Sequence, residues 1–293
     1  METLENKSIF SKLRIGKSTA DSKEMSFIDH LEALRWHVVR SAAAWIIAII
    51  GIFINIDWVF DNVIAAPARS TFVTYGALCK FSHWAHLGES LCMPAVNMEL
   101  QGNTVSGPFM SALSISMIGG LIVVFPYFIW EIWRFIKPAL SPKELKYSKG
   151  AIFWVSLCFF TGAAFGYYLL TPFTFNFLAN FKLGKTATYI YRPTLDDYID
   201  TINNIILGCG LAFELPIIAY VLGKLGIISA AFLRNTRKYA VVVILIVAAI
   251  ITPSPDWTSQ ILVSLPLLLL FELSIMICAR IDKKKAIIEK EWS

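Results

Sequence analysis

Charged residues are scarce in this sequence of 293 residues. Asp, Glu, Lys and Arg make up 16% of the chain, and 56% of it is hydrophobic; an ordinary soluble domain carries about 25% charged residues. This balance argues against a soluble enzyme. The long apolar runs also exclude disordered, collagen-like and disulfide-scaffold chains, which lack such runs. The composition is that of a polytopic membrane protein.

The sequence also has no motif that supports covalent catalysis or cofactor binding. It lacks the G-x-S-x-G, H-E-x-x-H, Walker and C-x-x-C patterns, so it offers no recognisable nucleophile, metal-ligand set or phosphate-binding loop. Gly162 and Gly166, spaced as Gly-x3-Gly, indicate helix packing instead. We therefore expect a protein that is not an enzyme and that uses no cofactor.

Apolar segments long enough to cross a membrane recur along the chain. A helix needs about 20 mostly apolar residues to cross roughly 30 Å of hydrocarbon, and six segments approach that length. We predict an all-α integral membrane protein, with a mobile cytoplasmic tail at 1–25 and one six-span domain at 26–293. The predicted spans are 38–57, 108–132, 150–172, 199–223, 238–252 and 258–279, and the long outer loop is 58–107. The short fifth and sixth spans are predicted to form a tight hairpin.

Lys and Arg are distributed unevenly between the two sides of the membrane in this topology. Of 26 such residues, 21 lie in the N-terminal tail, the loops after spans two and four, and the C-terminal tail. Because basic loops stay in the cytoplasm, both termini are predicted to be cytoplasmic. Basic flanks also favour two crossings at 238–279 over a single re-entrant segment. No nucleic-acid partner is expected, since the cations lie in short juxtamembrane loops.

A short amphipathic helix is predicted before the first span. Apolar residues recur at helical spacing after the candidate cap Ser26 and Asp29, at Phe27, Leu31, Leu34 and Val38. This helix should lie at the cytoplasmic interface and run into span one. His30 and His37 on it are expected to be solvated or to face lipid headgroups.

Two of the five cysteines, Cys79 and Cys92, fall in the long outer loop. If that side is a bacterial periplasm, it is oxidising, and we predict a disulfide between them. His83 and His86 lie between the two cysteines and complete a set of four candidate zinc ligands. Their spacing matches no standard zinc motif, so we expect no metal.

Acidic residues occupy several unusual positions. Glu214 and Glu272 lie inside predicted spans, where a charged side chain costs roughly 3 kcal/mol or more at the membrane centre, so each is a candidate functional residue. Asp256 lies in the tight connection between spans five and six, where a turn role is sufficient. Glu144 in a basic loop and Glu32 in the interfacial helix are left undecided by the residues alone.

A series of short motifs, in order along the chain, resembles the C subunit of the twin-arginine protein translocase. The motifs are HLEALR at 30–35, FIKPAL at 135–140 followed by Glu144, GLAFELP at 210–216, RKY at 237–239, TP at 252–253 with Asp256, and FE at 271–272. The resemblance covers most of the chain after Ser26. It implies a cupped six-span bundle in the bacterial cytoplasmic membrane that acts as a receptor for the export of folded proteins, with the proton gradient as the expected driver.

The resemblance also implies a signal-peptide site on the cytoplasmic face. In the family, two acids bind the paired arginines of a signal peptide, and an aromatic and apolar patch lies beside them. One acid carries over to Glu144, and the patch carries over to Phe135 and Pro138. Carboxylates suit this task because they accept the planar arginine fork through two hydrogen bonds.

The second acid of the family pattern is displaced in this chain. The family has a Glu immediately before Leu-Arg, whereas this chain has Ala33 there and carries Glu32 one position earlier. One residue rotates a side chain by about 100° on a helix. Either Glu32 still reaches the site, or another acid such as Glu131, at the end of span two, substitutes for it.

Within the membrane, the resemblance places Glu214 on the concave face of the bundle, where it would meet a polar group of a partner helix or signal peptide. Thr252 and Gln260 match positions where the family docks its partner helix, and Asp256 lies beside them. The implied partners are twin-arginine signal peptides, single-span A-type and B-type subunits, and further copies of the chain. The alternative is a proton- or ion-coupled small-molecule transporter that uses Glu214 and Glu272, although no internal repeat supports it.

Overall fold

The protein is built from α-helices throughout the part that the structure describes. The computed structural model describes residues 27–84, 86, 92, 98–137, 150–180, 192–252 and 257–292. Within these ranges no β-strand forms, and pairing of the β type is limited to one isolated bridge between Gln101 and Thr194. The predicted all-α fold class is confirmed. The predicted tail at 1–25 lies outside the described residues.

The described residues form a series of α-helices along the chain. They are α1 Phe27–Ile54, α2 Ile56–Val59, α3 Val73–Trp84, α4 Gly107–Ile136, α5 Ala151–Phe165, α6 Thr171–Asn180, α7 Leu195–Ala212, α8 Leu215–Leu225, α9 Ala230–Asn235, α10 Arg237–Ile251 and α11 Trp257–Trp292. A π-helical turn, Phe60–Ile64, follows α2, and a second one, Gly166–Leu170, joins α5 to α6 without a break.

Five stretches of helix, counted over the described residues, are long and apolar enough to cross a membrane. They are Leu34–Ile54, Gly107–Ile136, Ile152–Asn180, Leu195–Lys224 and Val263–Ile287, and they overlap predicted spans one, two, three, four and six. Helix α10 overlaps predicted span five, but its 15 residues give about 22 Å of helix against roughly 30 Å of hydrocarbon. The crossing by α10 therefore stays a prediction.

Helix α7 is the element on which the bundle is assembled. Helices α4 and α5 both pack on α7, and α1 packs on α4. On the other side, α8 and α10 pack on α11, and α10 also contacts α7. A buried cluster that includes Cys209, Ala248 and Leu267 joins α7, α10 and α11. The fold thus holds α1 and α4 side by side, which is the contact that builds the site described below.

Side-chain hydroxyls attach the segment between α1 and α4 to the rest of the bundle. The Tyr198 hydroxyl donates to the Ile64 carbonyl at 2.7 Å, and the Tyr167 hydroxyl donates to the Val63 carbonyl at 2.7 Å. Buried backbone carbonyls need such partners. In its described part the predicted outer loop at 58–107 contains helical turns and α3, and these two hydrogen bonds tie its first turns to the bundle.

Gly162 allows α5 to approach α7 closely. A Cβ at Gly162 would lie 2.5 Å from the carbonyl oxygen of Cys209 and 2.7 Å from the Cβ of Phe213, so a helix backbone would have to move. We expect Gly162→Ala to lower the free energy of unfolding in detergent by about 1–3 kcal/mol, the usual effect of overpacking. Gly51→Ala in α1 is the matched control, because a Cβ there meets nothing within 4 Å. An equal loss of stability in both variants would contradict this account.

Candidate functional site

Glu131 is buried between α1 and α4, with 1% of its surface exposed. The Nδ1 of His37 contacts its Oε2 atom, and the Tyr127 hydroxyl donates to its Oε1 atom at 2.8 Å. The Nη1 of Arg40 lies 3.9 Å from the same Oε2. A carboxylate out of water is tolerated only when cations and donors replace its hydration. Helix α1 supplies both the His37 imidazole and the Arg40 guanidinium.

His37 also contacts the aromatic residue of the predicted patch. The His37 and Phe135 rings meet edge to face, with their centroids 6.0 Å apart. The structure therefore brings Phe135 and Glu131, two residues predicted from the sequence, into one cluster with His37. The expectation that His37 is solvated or faces headgroups is wrong, because α1 packs on α4 along the face that carries this histidine.

A signal for this cluster was present in the sequence. An acid such as Glu131, inside an apolar stretch, needs a cation nearby. His37 and Arg40 are three residues apart, and residues at that spacing share one face of a helix. The two helices are far apart in the sequence, so the contact of Glu131 with His37 and Arg40 was not predicted.

Glu32 lies at the same end of the bundle but faces elsewhere. It is exposed, and it precedes His37 by five residues, so the two side chains point about 140° apart around α1. Helix α1 thus turns Glu32 away from the Glu131 cluster. Three further predicted site residues, Glu144, Pro138 and Asp256, lie outside the described residues.

Glu214 lies at a break between two helices. Helix α7 ends at Ala212 and α8 begins at Leu215, with Pro216 in its first turn. Glu214 is 7% exposed, and its Oε1 has no hydrogen-bond partner within the described part of the chain. Buried polar atoms in folded proteins are nearly always paired. This oxygen therefore needs a donor that the described residues do not supply.

Thr252 and Gln260 use their donors within the bundle. The Thr252 hydroxyl is buried and donates to the Ala248 carbonyl at 2.9 Å. The Gln260 amide donates to the Leu245 carbonyl at 3.0 Å, which links α11 to α10. The Thr252 hydroxyl thus binds the last turn of its own helix, and the Gln260 amide helps to fix the packing of α11 on α10.

Glu272 is paired across the same two helices. Its Oε2 lies 2.7 Å from Nη2 of Arg237, and both side chains are about half exposed. A coupled transporter would instead need Glu272 beside Glu214 in a binding cavity. The transporter alternative is therefore not supported by the position of this acid.

Cys79 of α3 and Cys92 form a disulfide. The Nε2 of His83 lies 3.9 Å from the Cys92 sulfur, and His86 is exposed. Zinc binds cysteine as the thiolate, and disulfide sulfurs are not thiolates. The disulfide ties Cys92 to α3.

Comparison with known proteins places this arrangement in a family context. A family model described as Sec-independent protein translocase protein (TatC) matches residues 29–266. A protein named Sec-independent protein translocase protein TatC from Blattabacterium is 40% identical over 268 residues, covering 90% of this chain and 99% of its own. The protein of the same name from Carboxydothermus hydrogenoformans is 34% identical over 265 residues, covering 90% of this chain and 97% of its own.

Two solved structures also resemble this one. Both are described as crystal structures of the twin-arginine translocase receptor TatC, one of them in DDM. Each is 30% identical to this chain and covers 85% of it, with TM-scores of 0.62 and 0.67. The alignments span 97% and 99% of those two chains.

Proposed function

The chain belongs to the Sec-independent protein translocase protein (TatC) family, and from that premise we propose that it is the receptor subunit of a twin-arginine translocase. The observation that carries the proposal is the match to two twin-arginine translocase receptor structures over nearly their whole length. The receptor would bind twin-arginine signal peptides at the end of the bundle that carries Glu32 and Glu131. It would then assemble with single-span partners to export folded proteins.

We assign the arginine-binding role to Glu144 and Glu32. Glu32 is exposed at the start of α1, so its carboxylate is open to a peptide. Two carboxylates can each accept a guanidinium through two parallel hydrogen bonds, which a lysine ammonium cannot imitate. Phe135 and Pro138 would supply the apolar surface beside the arginines.

We assign a positioning role, not an arginine-binding one, to Glu131. It is buried and already engaged by His37 and Tyr127. A peptide arginine would have to displace those contacts before it could reach the carboxylate. The pairing instead ties α1 to α4 and so sets where α1 presents Glu32.

We place the partner helices at the polar groups inside the membrane. Glu214 would receive a donor from a single-span subunit or a signal peptide, which fits an Oε1 that no described residue pairs. Thr252, Gln260 and Asp256 would line a second contact near the α10–α11 connection. With the basic loops inside, both termini would lie in the cytoplasm and the protein would reside in the bacterial inner membrane.

The receptor function is tested by binding the purified protein to a signal peptide that carries Arg-Arg and to the same peptide with Lys-Lys. Charge is held constant between the peptides. We expect the Arg-Arg peptide to bind about tenfold tighter or more, since a hydrogen bond to a charged group contributes about 1.5–3 kcal/mol. Glu144→Gln should remove that preference, and Glu32→Gln should reduce it.

The control is Glu99→Gln, which removes an exposed carboxylate paired with Arg192 in another part of the chain. It should leave the preference for the Arg-Arg peptide unchanged. Equal binding of the two peptides by the unmodified protein would contradict the proposed receptor site.

A further inference from the structure

The connection between α8 and α10 folds onto the end of α11 and forms a corner rich in cations. We call the described residues 226–238 together with 280–285 the basic corner. It lies beyond the apolar stretch Leu195–Lys224, at the end of the bundle that the basic loops assign to the cytoplasm. The basic corner has no part in the receptor site proposed above.

The basic corner is held in shape by its own contacts. The Asp282 carboxylate accepts the backbone N–H of Ala230 at 2.8 Å, and the Lys285 ammonium donates to the Gly223 carbonyl at 3.0 Å. Ala230 and Cys278 are buried against each other in a small apolar cluster. The corner is therefore a preformed surface, and binding of a ligand would not carry the entropy cost of ordering it.

The exposed charges of this surface are all positive. The cations are Arg234, Lys238, Arg280, Lys283 and Lys284, each exposed and none in an ion pair with another described residue. The nearby described acids are already used. Asp282 accepts the Ala230 N–H, and Glu272 holds Arg237. The negative charge that balances the five cations must therefore come from outside the described part of the chain.

Two large apolar side chains lie among these cations. Ile227 is 66% exposed and Phe232 is 57% exposed. Apolar residues next to Lys and Arg at the end of a membrane helix are typical of a surface that enters the boundary between headgroups and acyl chains. Cations at that depth meet lipid phosphates.

We propose that the basic corner binds an anionic phospholipid of the cytoplasmic leaflet, with Arg234, Lys283 and Lys284 around its phosphate and Ile227 and Phe232 beside its acyl chains. Charge complementarity selects this occupant. A phosphodiester brings acceptor oxygens and a net negative charge. A zwitterionic lipid brings its own cation, which the cluster repels.

The test is native mass spectrometry of the full chain in detergent, titrated with phosphatidylglycerol or with phosphatidylcholine of the same acyl chains. We expect tighter retention of phosphatidylglycerol by the unmodified protein. Each Lys or Arg near a lipid surface contributes about fivefold in affinity. In the triple variant Arg234→Gln/Lys283→Gln/Lys284→Gln, the ratio of phosphatidylglycerol affinity to phosphatidylcholine affinity should therefore fall by at least tenfold.

The matched control removes three cations from other exposed sites, as Arg69→Gln/Lys80→Gln/Arg192→Gln, and should keep the preference. Ile227→Ser/Phe232→Ser should weaken the binding of both lipids to the same extent. Equal retention of the two lipids by the unmodified protein, or an equal loss in the control, overturns the proposal. Displacement of the lipid by soluble glycerol phosphate at equal concentration also overturns it, because the site would then bind phosphate alone. No signal peptide is present in this assay, so its failure leaves the receptor function untouched.

Discussion

Replacing His37 with alanine is expected to destabilise the protein by about 3 kcal/mol or more. The variant leaves Glu131, which is 1% exposed, without its closest side-chain partner, and leaving a buried carboxylate without one of its partners usually costs about 3–5 kcal/mol. Arg40 remains at 3.9 Å, so we expect the lower end of that range. The measurement is the free energy of unfolding in detergent, with His86→Ala, an exposed histidine outside the helices, as control.

The double variant His37→Leu/Glu131→Leu forms a double-mutant cycle with the single variants His37→Leu and Glu131→Leu. Because it removes both polar side chains and leaves an apolar pair, it should recover most of the stability that His37→Ala loses. If the double variant loses as much stability as His37→Leu and Glu131→Leu lose together, the two residues do not act as a pair.

The same double variant decides between the two roles considered for Glu131. If Glu131 only positions α1, a folded His37→Leu/Glu131→Leu protein should still prefer the Arg-Arg peptide over the Lys-Lys peptide. If Glu131 binds a peptide arginine in place of the acid absent at Ala33, that preference should fall by about tenfold while the fold stays intact. Stability and peptide preference are separate readouts, so a purely structural effect cannot imitate a lost binding site.

The spans could be predicted because a long apolar stretch has one stable conformation in hydrocarbon. Gly107–Ile136 and Leu195–Lys224 follow from length and hydropathy alone, since every backbone group must be paired within the segment. The Cys79 and Cys92 pair was predicted from compartment chemistry and is a disulfide in the structure. These features depend on short stretches of sequence and on the compartment, so the amino-acid sequence is sufficient to predict them.

The contacts of the site could not be predicted, because they depend on which faces of two distant helices meet. His37 and Glu131 are 94 residues apart in sequence, and only the packing of α1 on α4 joins them. The break at Glu214 has a local cause in Pro216, which cannot continue the hydrogen-bond ladder of α7. Whether the carboxylate at that break is paired depends on its neighbours in space, and the sequence does not give them.

Glu214→Leu is expected to abolish the export of twin-arginine proteins. It should also abolish recovery of the single-span partner, meaning its co-purification with this chain, while the isolated chain keeps its stability or becomes more stable. Replacing a buried carboxylate whose Oε1 has no donor among the described residues with an apolar side chain removes an unfavourable group from the bundle. The same change removes the acceptor that a partner helix would use. Loss of function without loss of stability is the signature of a group retained for a partner.

Two further variants make the Glu214 prediction specific. Glu214→Gln keeps an acceptor and adds a donor, so partner recovery should fall by only about fivefold, the effect of one interhelical hydrogen bond of about 1 kcal/mol. Ser156→Ala removes another buried polar atom that lacks a partner among the described residues, and it should leave export unchanged. If Glu214→Leu instead unfolds the isolated chain as strongly as His37→Ala, the carboxylate has a partner inside the bundle. Its role would then be structural, and the partner helix would dock elsewhere.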